Sequence, residues 1–285
     1  MPPVKVFSSR SGAGTMIGLI YNNRATGKYS TAFGYGNTAS GDYSFAAGNG
    51  NTAVGVDSVA AGISCTANAN AVALGYGNTA SGDYSFAAGA ASTASNSYSV
   101  AAGASSTASG VASVVLGYSN NASGGYSFAA GIGALASRYG QASHASGYFA
   151  ARGDAQASKF VLRNQTTDAT ATEVKLDGLT NYLTIAATRT MSFVIRVAAH
   201  RTDVSGTAAA WPSITGGITR DATGNCRLLG SIAGAGTTTM CDAGASTWSV
   251  AVTADSTNNR LAITVTGEAG KTIRWVASVD MAEVG

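Results

Sequence analysis

The sequence predicts an all-β protein in two parts: a parallel β-roll, then an antiparallel β-sandwich or jelly-roll-like module. Three observations predict it. Glycine returns at a fixed period through the first half. Within each period, small and apolar residues alternate. In the second half the period fades, and alternating Val/Ile/Thr/Trp runs appear between polar turns.

The period comes first, because a fixed repeat decides the architecture. Gly34, Gly48, Gly62, Gly75, Gly89, Gly103, Gly117 and Gly131 lie fourteen residues apart, except for one step of thirteen between Gly62 and Gly75. The missing residue falls between Ala67 and Gly75. The stretch GYGNTASGDYSFAAG occurs twice, at 34–48 and 75–89. These are two coils of one solenoid, not two copies of a site. Each coil splits into an S-F-A-A-G half and an N-T-A-S-G half, with Gly or Asn at the corners, where positive φ is cheap. Frequent Gly and the lack of a 3.6-residue period argue against helix. About nine coils at ~4.8 Å each make a rod ~40 Å long.

Alternation suggests which face is inside. The pairs Phe45/Ala47, Val72/Leu74, Phe86/Ala88 and Phe128/Ala130 compensate in volume, as a packed interior requires. On this reading they point inward. The opposite face, with Ser44, Ala46, Ala60, Ser85, Ala87, Ala101 and Ala129, is small and flat. It is expected to pack against another copy of the chain. Between Tyr29 and Ser137 the charged residues are only Asp42, Asp57 and Asp83, too few for a solvated monomer. A cyclic homotrimer would hide the apolar ladders.

The whole chain narrows the function classes. A net charge of +3 with scattered Lys and Arg provides no nucleic-acid patch. No apolar run reaches the ~18 residues of a membrane span. The start, MPPVKVFSSRSG, lacks the pattern of a signal peptide, so folding in a cytoplasm is expected. Cys65, Cys226 and Cys241 form neither a disulfide framework nor a zinc site. Free thiols are the favoured reading, with a Cys226–Cys241 hairpin bridge as the alternative.

Strands are expected at 159–164, 173–177, 182–186, 191–199, 226–232, 248–253, 261–266 and 272–279. The turns ADSTNNR and GEAGK read as hairpin connections. The expected division is an N-terminal segment over 1–19, a roll over 20–153 and a compact module over 154–285.

Chemistry is sparse. No nucleophile–base pair stands out, and His144 and His200 are isolated, so neither catalytic residues nor a cofactor or metal is expected. The glycine-rich stretches lack a following Lys-Ser/Thr and helix, which argues against phosphate cradling. Asp42 and Asp83 are three coils apart, too far to act as a carboxylate pair. Arg152-Gly153-Asp154 spells a cell-attachment tripeptide, but its structural role at the end of the roll is favoured. Thr38, Thr52, Thr66, Thr79, Thr93 and Thr107 stack in one ladder, with Ser40, Ser81, Ser95 and Ser109 two residues on. A flat Thr-x-Ser lattice would suit ice binding, although it breaks at Asn121 and Leu135. Trp211, in AAAWPS, lies outside the clean strands. If exposed near Arg201 or Arg220, it could stack on sugar, whereas core packing is its plainer role.

The repeats SVAAG…TASG and SVVLGYSNNASG resemble the heads of trimeric autotransporter adhesins over roughly 20–153. That resemblance implies a left-handed parallel roll with three chains side by side. The expected secretion signal, coiled-coil stalk and membrane barrel of an autotransporter are not recognised here. The stretch ARGDAQASKFVLRNQTTDATATEVKLDG and the ending WSVAVTADSTNNRLAITVTGEAGKTIRWVASV resemble C-terminal domains of bacteriophage tail-fibre and other virion structural proteins. That implies a structural role on a virion. The resulting expectation is a homotrimeric phage fibre. Residues 1–19 would dock on another virion protein, and the C-terminal module would touch a host glycan or protein through Trp211, Arg201 and Arg220. The alternatives are a purely structural assembly module and, behind it, an ice-binding solenoid.

Overall fold

The computed structural model describes residues 15–204 and 206–285, with side chains from residue 22 onward. The chain divides into two compact units at Ser137/Arg138. Most of the expected attachment segment, residues 1–14, lies outside the described residues. From Thr15 the backbone already forms a rung of the roll, with Thr15 paired to Thr31.

The first unit is a parallel solenoid of nine coils. Each coil carries one long rung, such as Phe45–Asn49, and one short rung, such as Thr52–Ala53. Like residues stack on like: Gly34 on Gly48 and Gly48 on Gly62 in one sheet, Thr38 on Thr52 and Thr52 on Thr66 in the other. The glycine period has a steric cause. Gly48 has φ +117°, and a Cβ there would meet the Gly62 carbonyl oxygen at 2.0 Å. No side chain fits between coils at that corner. The thirteen-residue coil closes without loss of register, since Gly62 still pairs with Gly75.

The orientation of the long rung is the reverse of the sequence-based expectation. Ser44, Ala46, Ala60, Ser85, Ala87, Ala101 and Ala129 are all buried within the single chain. They form the interior of the roll and cannot form an interface between chains. Phe33, Phe45, Leu116 and Phe128 point outward and are 49, 40, 43 and 39% exposed. The cause is width. The inward positions of the two sheets are filled by Ala, Ser and Asn, with Ala39, Ala53, Ala80 and Ala94 of the short rungs also fully buried. A Phe pointing inward would overpack such an interior.

Side-chain-to-backbone bonds complete this thin core. Asn37 donates through Nδ2 to the carbonyls of Phe33 (2.9 Å) and Gly48 (2.8 Å). Its Oδ1 accepts the backbone N–H of Asn51, one coil on, at 2.9 Å. Asn51 repeats the pattern and receives Cys65 N–H at 2.9 Å. The amides are buried and satisfied, as burial demands. At the other corner Ser44 and Ser58 hydroxyls donate to the carbonyls of Gly41 and Gly55 at 2.6 and 2.7 Å.

The second unit, Arg138–Gly285, is a pair of antiparallel sheets around one core. Its strands are β1 (Ala142–Ser146), β2 (Ala155–Thr166), β3 (Thr172–Glu173), β4 (Arg189–Arg201), β5 (Ala208–Arg220), β6 (Cys226–Ala233), β7 (Gly236–Thr237), β8 (Ser249–Asp255), β9 (Arg260–Thr266) and β10 (Ile273–Val284). The larger sheet runs β1-β2-β10-β4-β5-β6 and the smaller β3-β9-β8-β7. Trp275 sits at the centre, 5.8 Å from both Trp211 and Trp248 between ring centroids. The division places residues 138–153 in this unit, where Arg138 donates to the Thr184 carbonyl and Gln141 donates to Ser158 at 3.0 Å.

Most expected strands are present and run longer. Three differ. Of residues 173–177 only the end of the two-residue strand Thr172–Glu173 and a bridge from Lys175 to Arg163 are present. Residues 182–186 form no strand, only a bridge between Thr184 and Arg260. β5 is not among the expected strands, and it runs through Pro212 and the Gly216–Gly217 pair. The strand accommodates Pro212 at an irregularity. Ile195 pairs with Ile214 and Val197 with Trp211, so Pro212 and Ser213 together face one residue of β4. That is a β-bulge, where a residue without an N–H is tolerated.

Candidate interaction surfaces

The long-rung sheet of the roll presents an outward apolar surface. Its volume compensation is real, but it operates outside. Where Phe45 is large, Ala47 is small; where Val72 is medium, Leu74 follows. Tyr35, Ile63, Tyr76, Tyr118 and Ile132, each following a corner glycine, extend this surface and are exposed. A contiguous apolar face of this kind is rare on monomers and marks an interaction surface.

A second feature was not recognised in the sequence. Tyr29, Tyr43, Tyr84, Tyr98 and Tyr126 occupy one corner of their coils with φ of 56–60°. All are more than half exposed. Tyr29 and Tyr43 rings are 5.2 Å apart, and Tyr84 and Tyr98 are stacked at 5.4 Å. That is close to strand spacing. A bulky residue in the left-handed region is a strained choice at a corner. The available signal was the Tyr-Ser pair that recurs at all five of these corners.

The threonine ladder exists as expected: Thr38, Thr52, Thr66, Thr79, Thr93 and Thr107 pair in register, followed by Asn121 and Leu135. Its strands are two residues long, and their Thr side chains are only half-exposed.

The residues expected to bind a receptor do not form a site. Trp211 is 1% exposed. Its Nε1 donates to the Gly236 carbonyl at 2.9 Å. It is a core residue, for the plain reason that β5 continues through it. Arg201 closes a two-pronged pair with Asp203, both bonds 2.7 Å. Arg220 donates to the Ile185 carbonyl at 2.8 Å. Arg220 pairs with Arg189 at one end of β4, and Arg201 ends the other, so the two arginines are separated by ~40 Å.

Asp154 is not available as a cell-attachment carboxylate. It is buried. Its Oδ1 accepts the backbone N–H of Phe149 (2.8 Å), and its Oδ2 those of Ala150 and Ala151 (2.6 and 2.7 Å). Burial raises its pKa, but these bonds outweigh that and hold its carboxyl below the usual range. All three cysteines are free thiols. Cys65 stands in the asparagine column of the roll, and its Sγ donates to the Gly75 carbonyl at 3.3 Å. Among the described residues no group of three or more His, Cys, Asp and Glu could hold a metal ion.

Comparison with known families identifies the roll. Residues 25–51, 67–92, 80–106 and 108–134 match the model of the YadA head domain repeat. No curated protein matches the chain. The roll is therefore similar, over these residues, to the YadA head repeats of trimeric autotransporter adhesins.

Proposed function

We propose that this chain is a homotrimeric fibre protein of a virus, a phage tail fibre or similar appendage. In this reading the roll is a stiff spacer and the second unit contacts the host surface. The outward apolar face of the roll carries the proposal. Among the described residues Phe33, Phe45, Leu116 and Phe128 stay 39–49% exposed, and a neighbouring copy would bury them. The near absence of charge in the roll supports this, as does the YadA-type repeat. The role is mechanical and adhesive, not enzymatic. The match ends at residue 134, so the virion setting rests on the wording of residues 150–285, and docking through residues 1–19 is part of the same proposal.

The second reading is an assembly module without receptor contact. The burial of Trp211 and the separation of Arg201 from Arg220 favour it. The test is the solution mass of the full chain by light scattering, followed by attachment to candidate host cells. A mass of three chains is expected. A stable monomer would overturn the trimer and bring an ice-shaping assay of the threonine ladder forward. Three chains without host attachment would favour the assembly module.

A further inference from the structure

We propose that the outer face of the β2–β10 strand pair is a binding site for an anionic polysaccharide, gripped by Arg163 and Arg274. This rests on the host-contact reading above and supplies its ligand class.

The site follows from strand alternation. On β10, Ile273, Trp275 and Ala277 point into the core, which turns Arg274 and Val276 outward. On β2, Leu162 is buried, which turns Arg163 outward, and Gln165 is exposed on the same side. Gln165 pairs with Arg274 and Arg163 with Val276. The two arginines are thus diagonal neighbours, with their strand positions roughly 7–8 Å apart. They line one cleft of about 400 Å³, together with Asp177 and Leu179 of the following loop.

Among the described residues the two cleft arginines have no ion-pair partner, and they outnumber Asp177, the one carboxylate that lines the cleft with them. Elsewhere on the same sheet face, Asp280 pairs with both Lys159 (3.5 Å) and Arg196 (2.5 Å). Among the described residues, no carboxylate lies within salt-bridge distance of Arg163 or Arg274. Both are held in place by neutral acceptors. Arg163 Nη2 donates to the Asp177 carbonyl at 2.7 Å, and Arg274 Nε to Gln165 Oε1 at 3.4 Å. A guanidinium has five N–H groups, so most remain for a ligand. The Asp177 carboxylate is occupied in its own loop, where Oδ1 accepts the N–H of Leu179, Thr180 and Asn181 at 2.8, 2.9 and 2.9 Å.

The remaining walls suit a sugar. Leu179 is 72% exposed and Val276 46% exposed, an apolar patch beside two forked cations. Carboxylate, phosphate and sulfate all match the guanidinium fork. The face also continues sideways. His200 of β4 pairs with Arg274 and lines a second open cleft with Ala208, Met240 and Asp242. An extended chain fits such a face better than a small metabolite does.

The experiment measures binding of the full chain to immobilised polygalacturonate, dextran sulfate, neutral dextran and single-stranded DNA. The variants are Arg163→Gln, Arg274→Gln and the control Arg196→Gln, with thermal unfolding to verify their folds. We expect binding to polygalacturonate, dextran sulfate or both. The two arms distinguish carboxylate from sulfate recognition. Each cleft variant should weaken it roughly tenfold, as for a lost charge-assisted bond, and Arg196→Gln should not. The proposal falls if neutral dextran or DNA binds as well as the anionic polymers, if neither anionic polymer binds, or if Arg196→Gln weakens binding equally. Host attachment by wild type and both cleft variants alike would overturn this site and leave the host-contact reading standing. Host attachment by none of the proteins would overturn the host-contact reading, and polymer binding would still decide the cleft.

Discussion

The two units bury opposite kinds of residue. The second unit encloses three tryptophans with Phe160, Leu162, Ile195 and Ile263, and turns Lys159, Arg163, Arg196 and Arg274 outward. The roll encloses Ala, Ser and Asn, and turns Phe, Leu and Tyr outward. The difference is one of thickness. Two full sheets pack about 10 Å apart and need large side chains between them. A coil of fourteen residues closes on itself too tightly for that. The second unit is therefore stabilised by hydrophobic burial within one chain. The roll relies on its backbone ladders and buried amides, and leaves its large apolar side chains on its outer face.

The largest effect expected within this comparison is at the tryptophan centre. Trp275→Ala should destabilise the second unit by about 3–5 kcal/mol, the usual result of emptying a large aromatic site. All three tryptophans belong to that unit, so intrinsic fluorescence reports its unfolding alone. The circular dichroism of the roll should survive the change.

A smaller but local effect is expected at the glycine corner. In Gly89→Val the new Cβ would meet the Gly103 carbonyl oxygen at 1.9 Å, on a backbone with φ +109°. A cost of about 2–3 kcal/mol is expected from strain and crowding. Hydrogen exchange should locate the loss in the coils on either side of Gly89. Protection left unchanged there would contradict the steric account of the period.

Acid should separate the units more gently. Hydrogen bonds hold three carboxyls of the second unit at about 2: Asp203 through Arg201, Asp221 through Thr223 and Asp255 through Asn258. A lowered carboxyl pKa contributes stability above the unfolded value of about 4, and loses it as pH falls through the folded value. The fluorescence melting point should therefore drop between about pH 4 and 2, by less at high salt because Asp203 and Asp221 are exposed. The roll is far poorer in carboxylates, with only Asp42, Asp57 and Asp83 between Tyr29 and Ser137.

The period, the parallel stacking and most strands of the second unit were legible because they rest on local patterns: a corner that admits only Gly48, or the alternation of Leu261, Ile263 and Val265. The inside of the roll was not. Alternation separates Phe45 from Ala46, but assigns neither to the interior when both faces lack charge. Hydrophobicity alone favoured Phe45, and the width of the coil decided for Ala46. Trp211 was misplaced for a related reason. Pro212 argued against a strand, and only the pairing with β4 shows the bulge that admits it. The Arg163–Arg274 cleft was out of reach because its residues are 111 apart in the chain, and only the β2–β10 register joins them.

The most direct measurement compares two adjacent columns of the roll. Light-scattering mass and circular dichroism would be recorded for a Phe33→Arg/Phe45→Arg/Phe128→Arg variant and for Ala46→Arg. An outward apolar face predicts that the triple variant keeps its β-sheet signal and falls from three chains to one, whereas Ala46→Arg loses the fold of the roll. A triple variant that remains at three chains, or a folded Ala46→Arg that falls to one, would contradict it.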